Sequence, residues 1–167
     1  MTRIGVASDL HGRFDPLLPR VLRGVERIVL AGDTVDETLL DRLREIAPLH
    51  AVRGNNDHSP GLLALPELLE LEVAGVRILV AHDRKDRRLP AAIERSRPDV
   101  LVVGHSHVPL VAHEGPLLVV NPGSAGPRRF RLPRTAGTMT LTAGRPPRVE
   151  LWDLERDAAY PLKLSSL

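Results

Sequence analysis

The stretch VLVVGHSHVP, Val100–Pro109, runs four apolar residues into a glycine and then sets two histidines one residue apart. A short apolar run of this kind suits a strand buried on both faces. The same form recurs upstream as RIGVAS (Arg3–Ser8), RIVLAG (Arg27–Gly32), LHAVRG (Leu49–Gly54) and VRILVAH (Val76–His82). Helix-like segments lie between the runs. Asp15–Arg23 has a proline near its start, Asp36–Ile46 spaces Leu39, Leu40, Leu43 and Ile46 along one helical face, and Leu89–Ser96 stops before Pro98. Strands alternating with helices predict an α/β fold.

Beyond residue 108 the pattern changes. PLVAHE, GPLLVVN, RRFRLP, GTMTLTA and PRVELWDL read as strands punctuated by Gly and Pro, with no helical period. They predict a mainly antiparallel sheet packed on the first. His50 and His113 fall inside strands, where a structural role is expected. No linker, repeat or low-complexity tract divides the chain, so residues 1–167 are expected to form one domain.

Composition narrows the chemistry. There are no cysteines, which removes disulfides, thiolate metal sites and a cysteine nucleophile. A transition metal would have to be held by His, Asp, Glu or Asn. The net charge is +2, and nearly all basic residues are arginine, with lysine only at Lys85 and Lys163. Without a dense basic run, and with one Trp, one Tyr and two Phe, the chain has no stacking platform for bases. Dedicated nucleic-acid binding is not expected. No long apolar stretch predicts a membrane span, and the first residues lack a secretory pattern, so a cytoplasmic location is the expectation.

Ligands of open α/β sheets collect beyond the carboxyl ends of strands. There the chain places Asp9-Leu10-His11-Gly12, then Gly32-Asp33 with Asp36 three residues on, then Gly54-Asn55-Asn56-Asp57, then His82-Asp83, then Gly104-His105-Ser106-His107. A lone aspartate after a strand is usually a cap or a turn residue. Five successive strand ends, each bearing an imidazole, carboxylate or amide, point instead to a divalent metal site. Gly32, Gly54 and Gly104 stand where the backbone must turn sharply or approach a bound group.

These motifs, in this order and spacing, resemble the calcineurin-like metallophosphoesterase superfamily. The VRGNND stretch (Val52–Asp57) and Asn121-Pro122-Gly123-Ser124 are similar to its small single-domain phosphodiesterases. The resemblance spans residue 4 to about residue 128. It implies two packed mixed β-sheets flanked by helices, a four-layer αββα sandwich, around two divalent metal ions. Asp9, His11 and His107 would hold the first metal. Asn55, His82 and His105 would hold the second, and Asp33 would bridge both. Manganese is the first expectation, with iron, nickel or zinc as alternatives. The implied reaction is hydrolysis of a small phosphodiester by a hydroxide bridging the metals.

Two departures stand out. Many superfamily members carry a histidine where this chain has Asn56, and an amide cannot deliver a proton at neutral pH. The leaving oxygen would then be protonated by water, by a metal-polarised group or by His58, so Asn56 and His58 are the candidate catalytic positions beside the metals. Relatives also often show His-Gly-His where this chain has His82-Asp83-Arg84. Asp36 and Asp57 are read as supports for the ligands, with helix capping the equal alternative for Asp36. Arg53 and Arg128 are candidates for a substrate phosphate, although ion pairs are the commoner fate of arginine. Two rival readings remain: a non-catalytic scaffold resembling the retromer-subunit branch, and a nuclease or nucleotide pyrophosphatase. A homo-oligomer is compatible with everything above.

Overall fold

The computed structural model of the protein describes residues 1–162 and 165–166. Two six-stranded sheets carry the architecture. The first is built on β1 (Thr2–Ala7), β2 (Arg27–Leu30) and β3 (Leu49–Ala51), which run parallel. It is extended antiparallel from β1 by β9 (Thr135–Thr142), β10 (Arg145–Asp153) and the short β11 (Ala158–Ala159). The second contains β4 (Leu68–Val73), β5 (Val76–Ala81), β6 (Val100–Val102), β7 (Leu110–Glu114), β8 (Leu117–Asn121) and β12 (Ser165–Ser166). There β5, β6 and β8 are mutually parallel, while β4 and β7 pair antiparallel with β5 and β8.

The apolar runs are continuous because each feeds two cores. Alternate residues point to opposite faces of a strand. Ile4, Val6 and Val29 of the first sheet meet Ile78, Val80, Val100, Val102 and Val120 of the second. The intervening Ala7, Ile28 and Leu30 face the helices α1 (Leu18–Val21), α2 (Thr38–Arg44) and α3 (Pro60–Leu63) through Leu18, Leu39, Leu40, Leu43 and Leu62. On the other flank Leu79, Leu101, Val103 and Val119 cover Leu89 and Ala92 of α4 (Leu89–Ser96). The order is helix, sheet, sheet, helix, as the αββα expectation required.

Several details differ from the sequence expectation. The C-terminal strands do not form a sheet of their own: β7 and β8 complete the second sheet, and β9 and β10 complete the first. The parallel strands are likewise divided between the two sheets. Residues 128–133 form no strand, since Phe130 adopts a positive φ of 55° and is 92% exposed. Strand β4 lies where the sequence reading places none, although Leu69, Leu71 and Val73 alternate there with Glu70 and Glu72 in the period of a half-buried strand. The helix expected over Asp15–Arg23 is a single turn, Leu18–Val21, since Asp15 instead accepts from Leu17 N. No helix among the described residues is long and apolar enough to cross a membrane.

Candidate metal centre

Both sheets present the carboxyl ends of their parallel strands to one edge. The loops after β1, β2 and β3 bring Asp9, His11, Asp33 and Asn55 there, and the loops after β5 and β6 bring His82, His105 and His107. The loops lock one another by backbone hydrogen bonds. Asp9 N donates to Gly32 O (3.0 Å), His11 N to Asp33 O (2.9 Å), and Gly104 N to His82 O (2.9 Å).

The side chains converge in two linked groups. In one, His11 Nε2 lies 3.1 Å from His107 Nε2, 3.8 Å from Asp9 Oδ1 and 3.7 Å from Asp33 Oδ2, and His107 Nε2 lies 3.2 Å from Asp9 Oδ1. In the other, His82 Nε2 lies 3.4 Å from Asp33 Oδ2 and 3.0 Å from Asn55 Oδ1, while His105 Nδ1 is 2.9 Å from Asn55 Oδ1 and 3.2 Å from His82 Nε2. Asp33 faces both groups. All seven residues expected from the sequence are therefore neighbours.

The donor set fits divalent cations. Asp9 Oδ1 is buried and has no hydrogen-bond partner, a costly state for a carboxylate oxygen unless a cation neutralises it. Its other oxygen, Oδ2, accepts from Ser8 Oγ (2.6 Å) and His105 N (3.0 Å), which fixes Oδ1 toward His11 and His107. Asp9, His11 and His107, and likewise Asp9, Asp33 and His82, have ligand atoms within 4.8 Å of one another. His82 Nδ1 is paired with Ala31 O (2.7 Å), which leaves Nε2 to face the cluster.

The backbone shape is costly. Asp9, His11, Asp33, His105 and His107 all have positive φ, between 45° and 65°. Such conformations cost non-glycine residues on the order of 1 kcal/mol or more each, and clusters of them mark functional sites. Two glycines make room for the candidate ligands. A Cβ on Gly104 would stand 1.9 Å from Ser8 Oγ and 2.7 Å from Asp9 Oδ2, and one on Gly54 would stand 2.2 Å from Asp33 Oδ1.

Charge balance follows the same geometry. Burial works against a charged His82, but Asp33 and the Ala31 carbonyl outweigh it and carry the imidazole up to about 8. Burial also opposes charge on Asp33, yet hydrogen bonds from His82 and Asn56 hold its carboxyl below the usual carboxylate range. Burial lowers His11, reinforced by the Arg129 guanidinium, against the pull of Asp33 and Asp9. His82 must release its Nε2 proton before that nitrogen can hold a cation. Metal affinity is therefore expected to rise by up to about tenfold per pH unit below the His82 value of about 8 and to level off above it. Calorimetric titration of the metal-free protein with manganese between about pH 6 and about pH 9 measures this; an affinity flat across that range contradicts it.

The remaining candidates sort by their contacts. Asn56 Nδ2 donates to Asp33 Oδ2 (2.6 Å) and Asn56 N to Asp33 Oδ1 (2.8 Å). His58 is exposed, and no hydrogen bond or ion pair joins it to the cluster among the described residues. Asp57 is buried and accepts from Gly54 N and Val35 N, both at 2.7 Å, which ties the third loop to the second. Asp36, one residue before the N-cap Glu37 of α2, accepts from Thr38 N and Oγ1 and so braces the helix start. Asn121 Nδ2 donates to Gly104 O (2.8 Å) and Ser106 Oγ (3.0 Å), bracing the turn that carries both histidines. Asp83 Oδ2 lies 4.0 Å from His105 Nε2, and Arg84 pairs with Glu114. Arg53 and Arg88 share Glu67, and Arg128 pairs with Glu155 at 3.7 Å. Three contributors escaped sequence reading. Ser8 holds Asp9, buried Arg134 pairs with buried Asp15, and Arg129 Nη2 lies 3.3 Å from His11 Nδ1.

The family model described as the calcineurin-like phosphoesterase superfamily domain matches residues 2–144. The chain belongs to that superfamily. A probable metallophosphoesterase of Methanocaldococcus jannaschii is 35% identical over 133 residues, covering 72% of this chain and 67% of the relative. The phosphodiesterase YfcE of Escherichia coli is 30% identical over 151 residues, covering 74% of this chain and 79% of the relative. Among solved structures, Vps29 from Cryptosporidium parvum superposes with a TM-score of 0.79 at 20% identity, covering 95% of this chain and 94% of that one. The YfcE structure gives 0.71 at 22% identity, covering 96% and 97%. The structural likenesses establish the fold. The family match and the sequence relatives make the chain a metallophosphoesterase with phosphodiesterase homologues, in a family that uses divalent metals.

Proposed function

We propose that the protein is a binuclear metal-dependent phosphodiesterase acting on small phosphodiesters. The carrying observation is the convergence of Asp9, His11, Asn55, His82, His105 and His107 with a shared Asp33, the buried Asp9 Oδ1 having no hydrogen-bond partner. Asp9, His11 and His107 would hold one cation, Asn55, His82 and His105 the other, and Asp33 both. A metal pair so held would supply a hydroxide nucleophile near neutral pH and would neutralise charge on the phosphoryl oxygens.

The chain's own residues set the conditions for that chemistry. Only Asp9 and Asp33 bring formal negative charge to the ligand set, the rest being neutral Asn and His, so an anionic diester is not repelled by its own binding site. Asn56 orients Asp33 with two hydrogen bonds and, being an amide, offers the leaving oxygen no proton. That proton would come from water, from a metal-polarised group or from His58. Diesters with stable leaving anions should accordingly be cleaved faster than alkyl phosphate monoesters. Manganese is the metal of first choice on an oxygen-and-imidazole ligand set, with iron, nickel and zinc as competitors. One domain over residues 1–167 would contain the whole apparatus.

The test is hydrolysis of bis(p-nitrophenyl) phosphate by purified protein with manganese, with and without chelator. Turnover that chelator abolishes and manganese restores is expected. No turnover with any of the four metals would overturn the proposal and favour a non-catalytic scaffold.

A further inference from the structure

We propose that the loop from Pro127 to Pro133 is the substrate-recognition element of the centre, with Arg129 gripping a non-bridging oxygen of the phosphodiester anion and Phe130 receiving an aromatic ester group. This rests on the hydrolase reading above and names the substrate class that the site selects.

The loop rises from a stem anchored to the first ligand motif. Ala125 N donates to Ser8 O and Gly126 N to Asp9 O, both at 3.0 Å, and Ser124 Oγ donates to Asp9 O at 2.9 Å. On the return side, Arg134 donates from Nε to Gly126 O at 2.5 Å and pairs with buried Asp15. A turn closed by Leu132 N to Arg129 O (3.2 Å) sets the tip. The tip is thus held against Asp9 at its base while its own side chains stay exposed.

Arg128 is neutralised by Glu155 and Arg134 by Asp15, whereas no carboxylate pairs with Arg129 or Arg131 among the described residues, and of these two Arg129 is the one that touches the candidate ligand His11. Its one polar side-chain contact is Nη2 on His11 Nδ1. That contact requires Nδ1 to accept, because a guanidinium has donors only. His11 Nε2 faces Asp9, Asp33 and His107. The guanidinium therefore stands one imidazole ring away from the candidate metal cluster, on the outer edge of His11, with no anion of its own. A phosphate oxygen is the partner that the guanidinium geometry matches.

Phe130 follows directly. It is 92% exposed and held at φ 55°, a conformation that costs a bulky residue energy and gains nothing from core packing. An aromatic ring presented one residue from the phosphate-binding arginine suits an aryl or other planar ester group.

The test uses full-length protein loaded with manganese and three variants, Arg129→Ala, Arg129→Lys and Phe130→Ala. The readouts are bound metal, affinity for inorganic phosphate by calorimetry, and kinetics on bis(p-nitrophenyl) phosphate and methyl p-nitrophenyl phosphate. These two esters share a leaving group and differ in the spectator ester. Arg129→Ala is expected to weaken phosphate about tenfold and raise KM by a similar factor, with kcat and bound metal unchanged, and Lys should recover part. Phe130→Ala should reduce the preference for the bis-aryl ester about threefold. The phosphate measurement decides the role of Arg129 even if the wild type hydrolyses neither ester, an outcome that would sink the hydrolase reading separately. Unchanged phosphate affinity in Arg129→Ala, loss of bound metal, or a fall in kcat at constant KM would each overturn the grip. An undiminished bis-aryl preference would overturn the role of Phe130.

Discussion

Asp33→Asn is expected to lower manganese-dependent diester hydrolysis by on the order of 10³-fold and to drop bound metal below one ion per chain. The substitution keeps the shape, so the reasons lie in the lost negative charge and in hydrogen-bond polarity. Asp33 Oδ2 stands 3.7 Å from His11 Nε2 and 3.4 Å from His82 Nε2, and it also accepts from Asn56 Nδ2. Oδ1 accepts from Asn56 N. An asparagine must point its NH₂ at one of these two places. Facing Asn56 N, it sets donor against donor; facing the imidazoles, it sets a donor where a cation should sit. Among the described residues Asp33 alone stands this close to both His11 and His82, so both half-sites suffer together. Metal analysis beside kinetics checks the point, and thermal unfolding shows whether the fold is intact. A variant that retained two ions and near-normal turnover would remove Asp33 from the centre of the mechanism.

Why the site was legible in the sequence, and the sheet allocation was not, comes down to range. The candidate ligands leave strand ends, and strand ends are marked locally by an apolar run followed by Gly, Asp or His, as at Ala31-Gly32-Asp33 and Val103-Gly104-His105. Which sheet a strand joins depends on partners far away in the chain. Arg3–Ser8 and Asp99–Gly104 look alike, yet β1 lies between β2 and β9 while β6 lies between β5 and β8. The C-terminal strands look like one antiparallel group because hairpin punctuation is local, whereas their division between two sheets follows from pairing with distant strands, β9 with β1 and β8 with β6. Residues 128–133 misled for a related reason: RRFRLP carries a strand-like composition, but its cations have no sheet face to lie on. Arg134 goes inward only because Asp15, more than a hundred residues earlier, is buried to meet it. Ser8 illustrates the opposite limit. Its position beside Asp9 was plain, but a serine after a strand has too many ordinary uses for its grip on Asp9 Oδ2 to be read without coordinates.

The most informative gain of function is Asn56→His, the residue that many superfamily members carry at this position. Asn56 reaches the shared carboxylate through Nδ2 at 2.6 Å, close enough that an imidazole N–H there can preserve part of that tether. What the imidazole adds is a proton that can be given away near neutral pH. General acid assistance contributes about 10²–10⁴-fold where the leaving group needs it. An alkoxide needs it and p-nitrophenoxide does not. The variant is therefore expected to cleave alkyl phosphate esters about 10²-fold faster, while bis(p-nitrophenyl) phosphate changes little. Its alkyl-ester rate should also fall at high pH as the new imidazole loses its proton. Asn56→Gln, which restores a donor without an acid, separates the tether from the proton and should show no alkyl-ester gain. If His58 is the parent's proton source, His58→Ala will depress the residual alkyl-ester rate in the parent and matter far less when combined with Asn56→His. Equal acceleration of aryl and alkyl esters by Asn56→His would mean that the substitution reshapes Asp33 and the metals instead of protonating the leaving oxygen. The low alkyl-ester activity expected of this chain would then need another cause.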